Sequence, residues 1–159
     1  MGRCSCRFVS GALQALRDRC AHRTMPISNH QPFQLIYVSQ PEAGIDDVAV
    51  SAIGAVSRDR NLASGISGAL LFDGNRFCQL LEGLERDVRL LMARITKDTR
   101  HRNVSVIASS HFGLPRLTSC WQLGACSTQA MEALLIEPRA HNEVALAMFM
   151  SALATATIR

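Results

Sequence analysis

Apolar and polar positions first alternate at "FQLIYVSQ", residues 33–40, where Phe33, Leu35, Tyr37 and Ser39 share one face of a strand. "PEAG" ends that run, and "IDDVAVSAIGAVSRDRNLAS", 45–64, changes to helical spacing through Ile45, Val48, Ala49, Ala52 and Val56. Two apolar runs follow, "GISGALLF" and "RFCQLLE", joined by Asp73-Gly74-Asn75, a hairpin signature. Leu84, Val88, Leu91 and Ile95 then mark a second helix over about 84–98. "VSVIASSHFG", 104–113, and "RLTSCWQLGAC", 116–126, read as two further strands. Helices over roughly 128–136 and 140–156, punctuated by Pro138, finish the chain.

The order β-α-β-β-α-β plus one strand and two helices predicts an α+β, ferredoxin-like fold, with two helices on one face of an antiparallel or mixed sheet. The last helix carries "VALAMFMSALA", 144–154, and needs a surface to cover. The opposite sheet face is the obvious one. That run is too short for the ~18 uninterrupted apolar residues of a membrane span. The expected organisation is a basic extension over 1–32, one domain over 33–126 and a helical extension over 127–159.

Charge separates the extension from the rest. Residues 1–32 hold five Arg and one Asp, and the remaining chain balances 12 basic against 12 acidic side chains. The domain itself therefore carries no nucleic-acid footprint. The extension fits a secretory signal poorly, because its short apolar piece runs into "RDRC". Two readings of it stand: a disordered tail, or a translated upstream region with Met25 as the true start. Cys4-x-Cys6 with Cys20-x-His22 lacks the usual C-x-x-C zinc spacing, so no metal is expected. Free thiols and a cytoplasmic location follow as defaults.

Candidate chemistry starts from one amide. Gln79 lies between Phe77 and Leu81 on the same strand face. A buried amide without partners costs about 1–3 kcal/mol, so it must be bonded. First and third strands are usual neighbours in this topology, which lets Tyr37, the single tyrosine, reach it. A purely structural Tyr–Gln bond is one reading. On the first helix, Val50, Gly54, Ser57 and Asn61 form a row at i, i+4, i+7 and i+11. A helical Gly costs about 1 kcal/mol relative to Ala. The row either admits close helix–sheet packing or makes room for a flat heteroaromatic ligand with donor and acceptor edges. No dinucleotide fingerprint, Walker loop, nucleophile elbow or paired carboxylates are present, so no enzyme activity is expected.

Together, "LIYVS" with Tyr37, "RN" before "GISG" with Asn61, "FCQLLEG" with Gln79, "KDTRHRNV" and Trp121 resemble the BLUF family of flavin-using blue-light sensors, from about Phe33 to Gly124. The resemblance implies a non-covalent flavin, usually FAD, with FMN or riboflavin as variants. Asn61 would bond the ring's polar edge, helped by Arg60. Tyr37 would give an electron and a proton to the excited flavin and regain both, leaving Gln79 rotated or tautomerised. Asp98, Arg100 and His101 would line the pocket. Trp121 and Leu123 would relay the signal to a downstream protein partner or within a homo-oligomer, with the C-terminal helices as the moving part. No membrane or nucleic-acid partner is implied. Two residues depart from the family: Leu123 stands where a Met is usual, and Thr118 where a Phe is common. The competing expectations are a flavin-free adaptor on the same scaffold, or a ferredoxin-like enzyme such as an acyl-phosphate hydrolase.

Overall fold

The computed structural model describes residues 32–111, 116–118, 120–136 and 142–158. The elements are β1 (Phe33–Pro41), α1 (Asp47–Ala63), β2 (Ser67–Phe72), β3 (Phe77–Gly83) and α2 (Glu85–Lys97). They continue as β4 (His101–Ser110), β5 (Trp121–Ala125), α3 (Thr128–Ile136), α4 (Asn142–Thr155) and β6 (Thr157–Ile158). One six-stranded sheet has the order β4-β1-β3-β2-β5-β6. All pairings are antiparallel except β2 with β5, so the ferredoxin-like β4-β1-β3-β2 core gains a parallel strand at the β2 edge.

The sheet separates two apolar layers. On one side Ile36, Leu71, Cys78 and Leu80 pack against Met131 and Leu134 of α3 and Leu146, Phe149 and Leu153 of α4. On the other, Phe33, Leu35, Tyr37 and Leu81 meet Val88 and Met92 of α2, while Leu70, Phe77, Trp121 and Leu123 meet Val50 of α1. Because both faces are covered, β2 and β3 are buried along their whole lengths. The C-terminal helices thus cover the face opposite Tyr37 and Gln79, as their apolar sequence predicts.

Local chemistry sets the boundaries. Asp46 caps α1, its carboxylate accepting from the Ala49 N–H at 2.8 Å, a contact of about 0.5–2 kcal/mol. Gly65, at φ 68°, ends the helix. The Asn61 carbonyl accepts from the Ser64 and Ile66 N–H groups there, which fixes the last turn against the sheet. Asp73 closes the β2–β3 hairpin by accepting from the Asn75 and Arg76 N–H groups. Gly68 is required by its neighbour: a Cβ there would run into the Leu80 carbonyl.

Three expectations change. The buried row of α1 is Val50, Gly54 and Asn61, whereas Val48 and Val56, expected on the apolar face, are 76% and 49% exposed. Residues 116–118 do not extend a strand, because the Leu117 and Thr118 N–H groups are used on a side chain, the Glu82 carboxylate. Cys78 and Cys126 are free thiols that burial makes harder to ionise, Cys126 being pushed up to about 11, but Cys120 is in a disulfide. The extension before Pro32, with Cys4, Cys6, Cys20 and His22, lies outside the described residues.

Candidate functional site

Tyr37 and Gln79 are register partners on β1 and β3. Their shared face puts both side chains in the layer beneath α1 and α2, where Tyr37 is 1% and Gln79 5% exposed. The Tyr37 hydroxyl donates to Gln79 Oε1 at 2.6 Å. Burial, with smaller contributions from Cys78 and Asp98, raises the phenol far above the ordinary tyrosine range. The proton therefore stays on Tyr37. With its oxygen engaged, the Gln79 amide nitrogen is the group left to face the cleft beyond.

That cleft has a volume of about 200 Å³ and opens between α1 and α2. Its apolar walls come from Ile53, Ile66, Leu70, Leu91 and Ile95, and its polar groups include Ser57, Asn61, Gln79 and His101. Asn61 is 4% exposed, yet its side-chain amide makes no hydrogen bond among the described residues. The amide opens onto the cleft, where a ligand with both donor and acceptor edges would meet it. Apolar walls flanking the Asn61 and Gln79 amides fit a flat heteroaromatic ring such as isoalloxazine.

The turn after α2 forms the third side. Asp98 is gripped by Arg100, whose backbone N–H, Nε and Nη2 all donate to it at 2.5–3.1 Å. The Arg100 hydrogen bonds hold the Asp98 carboxyl at about 2, against a smaller desolvation effect. His101 Nδ1 shares a 2.9 Å hydrogen bond with Ser39 Oγ, and its ring lies near those of Tyr37 and Phe77. Burial lowers the His101 pKa, with Asp98 opposing the shift, so the imidazole is neutral around pH 7.

Tyr37, Arg60, Asn61, Gln79, Asp98, Arg100 and His101 all line this one cleft. Trp121 and Leu123 do not. They are buried beside it under α1, where a Cβ on Gly54 would lie 2.9 Å from Leu123 Cδ2 and 3.4 Å from Trp121 Cη2. Gly54 therefore serves helix–sheet packing, and of the two small residues only Ser57 borders the cleft. The Leu123 link to the site runs across the sheet: Tyr37 faces Gln79, Gln79 faces Leu70, and Leu70 faces Leu123.

A family model described as sensors of blue-light using FAD matches residues 33–124. The chain belongs to the BLUF family. This BLUF chain is 42% identical over 50 residues to the blue light- and temperature-regulated antirepressor BluF of Escherichia coli K12, a match covering 31% of this chain and 12% of that one. It is 33% identical over 101 residues to the photoactivated adenylate cyclase subunit beta of Euglena gracilis, covering 64% and 11%. It thus spans only about a tenth of these relatives' lengths. Among solved structures, the photo-activated state of BlsA aligns with a TM-score of 0.64 at 25% identity, over 80% of this chain and 98% of that chain. The dark state of BlrB aligns at 0.61 and 25%, over 78% and 96%.

Several lining residues escaped sequence reasoning. Asp87, Leu90 and Arg94 of α2 also border the BLUF cleft. The apolar spacing of that helix points to Val88 and Leu91, and only the i, i+7 repeat of charge at 87 and 94 hints at a second, polar edge. Glu82 was missed as well. It is fully buried on the far sheet face and accepts from Gln34 Nε2 (2.6 Å), the Leu117 and Thr118 N–H groups (2.8 Å each) and Thr118 Oγ1 (2.5 Å). Thr118, the departure from the usual Phe, is thereby accounted for: its hydroxyl is one of four donors to this carboxylate.

Proposed function

We propose that this BLUF protein senses blue light through a hydrogen-bond switch at Tyr37 and Gln79, with FAD or FMN held non-covalently in the cleft. The observation that carries this reading is the 2.6 Å Tyr37–Gln79 bond beside an otherwise unpartnered Asn61 amide. Bound flavin would supply light absorption and a transient electron sink. Asn61, with Arg60, would bind the polar ring edge; Ile66, Leu70 and Leu91 would hold the ring and exclude water.

Tyr37 is placed to lose an electron and its hydroxyl proton, the proton moving along the existing bond to Gln79 Oε1, and then to regain both. The Gln79 side chain would return rotated or as its tautomer, since an amide has both donor and acceptor ends to exchange. Asp98, clamped by Arg100, and His101, clamped by Ser39, would keep the polar wall rigid meanwhile. Trp121 and Leu123 would carry the change toward α1 and β5; the buried Trp121 indole N–H, which has no acceptor among the described residues, is available for a new bond. The output would pass through a downstream protein partner or a homo-oligomer, with α3 and α4 as the moving layer.

The test is spectroscopic. Purified protein should show a flavin spectrum that shifts slightly to the red under blue light and recovers in darkness. Tyr37→Phe and Gln79→Leu should each abolish the shift and retain flavin. A normal shift in either variant refutes the assigned roles. Hydrogen exchange over 125–159 that is identical in dark and light refutes the relay.

A further inference from the structure

Helix α1 carries apolar side chains on two faces. Val50 and Gly54 meet the sheet, while Val48, Ala52 and Val56 are exposed on the outward side. Those three follow at i, i+4 and i+8, so they form one row along the helix. No charged residue interrupts the chain from Val48 to Ser57. Single exposed apolar residues need no account, but a row of them on an uncharged helix face marks a contact surface. None of the three lines the cleft.

The charges at the rim of this face select what covers it. Asp47 stands in the first turn, and Arg58 lies eleven residues on, three turns along the same flank of the helix. Both are exposed. Asp47 has a contact within its own chain, and its carboxylate has acceptor sites for a further donor. A second copy laid antiparallel, with the two-fold axis near Ala52, brings Val48 onto Val56 of that copy and Asp47 onto Arg58 of that copy. Symmetry makes each contact twice. The small Ala52 side chain at the axis lets the two backbones approach. Opposed helix dipoles favour the same arrangement, whereas a parallel pair sets Asp47 against Asp47 and Arg58 against Arg58.

We propose that the outer face of α1 is a self-association surface, where two copies of this chain pack antiparallel through Val48, Ala52 and Val56 with reciprocal Asp47–Arg58 pairs. The occupant is a second copy because the face is apolar at its centre and complementary to itself in charge at its ends. One pair of helices makes a small interface, so the dimer is weak, with a dissociation constant of about 10–100 µM. The surface needs no cofactor and lies outside the cleft, so it stands apart from the flavin reading.

The experiment is sedimentation equilibrium of the full chain in the dark, from about 5 to 300 µM, where a monomer–dimer equilibrium is expected. Val48→Glu with Val56→Glu places like charges at the centre and should weaken association at least about 10-fold. Asp47→Arg or Arg58→Asp alone should weaken it about 3- to 10-fold, and the two together in one chain should restore it to within about twofold of the parent. That recovery separates docking between copies from a fault in the fold, and far-UV ellipticity checks that these exposed positions leave the fold intact. A dimer unaffected by the Val48 and Val56 changes overturns the surface, and a double charge reversal no better than its parts overturns the antiparallel pairing. A chain that stays monomeric throughout leaves the face to residues 1–31 or to a different protein, and overturns the proposal.

Discussion

Glu82 gives the sharpest test of the packing, because one carboxylate gathers four buried donors. Glu82→Ala strands Gln34 Nε2, the Leu117 and Thr118 N–H groups and the Thr118 hydroxyl. An unsatisfied buried donor costs about 1–3 kcal/mol. The segment at 116–118 can relax, so the low end applies, and four donors give a loss of about 4 kcal/mol. That approaches the entire margin of a small domain, about 5–15 kcal/mol. Glu82→Gln keeps one acceptor oxygen and turns an NH₂ toward donors, for about 1–3 kcal/mol. The assay is urea unfolding followed by ellipticity with flavin present. With a slope of about 2 kcal/mol per molar, the Ala variant should lose about 2 M in midpoint and the Gln variant about 1 M. The light-induced shift should survive in Glu82→Gln, since neither Tyr37 nor Gln79 touches this group. An Ala variant within about 0.5 kcal/mol of the parent would show that the carboxylate does not anchor 116–118.

The other predictions concern α1 and the turn after α2. Gly54→Ala brings a methyl to 2.9 Å from Leu123 Cδ2, so the gain in helix propensity, about 1 kcal/mol, should be cancelled by overpacking. Leu123→Ala should then cost about 1 kcal/mol less in that background than alone, and additive unfolding energies would refute the contact. Leu123→Met should change the dark recovery rate of the light-induced shift and retain the shift itself; an unaltered rate counts against a relay role. For pH, Asp98 and His101 at the turn are both depressed on folding, so their stabilisation is present above the unfolded values and drains on acidification. Stability should fall first as pH drops through and below 6.5, from His101, and again from about 4 toward 2, from Asp98. Urea midpoints across pH 7 to 5 in His101→Gln should flatten the first step, and an identical profile would remove His101 as its cause.

Legibility followed the range of the interactions. The helices and the hairpin were written in local spacing and in Asp73-Gly74-Asn75, and the Tyr37–Gln79 pairing followed from topology, since neighbouring strands must match register. Glu82 could not be read, because three of its four donors lie about 35 residues later, the fourth, Gln34, lies 48 residues earlier, and nothing near it in the chain marks them. The role of Gly54 was open for the same reason: the side chains that need its missing Cβ are on β5. On α1, apolar spacing pointed to Val48 and Val56, but the buried row is the one with small and polar members, because it meets a bulky Trp121 and a cleft.

Strand β3 has no free side. β1 and β2 flank it, Gln79 looks into the cleft, and Cys78 and Leu80 press on the C-terminal helices. A strand boxed in this way has little slack in which to absorb a turned amide quietly. A small reorientation at residue 79 must either remain confined to its own side chain or displace the strand as a stiff rod, and in the second case both layers receive it at once. An intermediate, damped response has nowhere to be stored, which suits a device whose outputs are two.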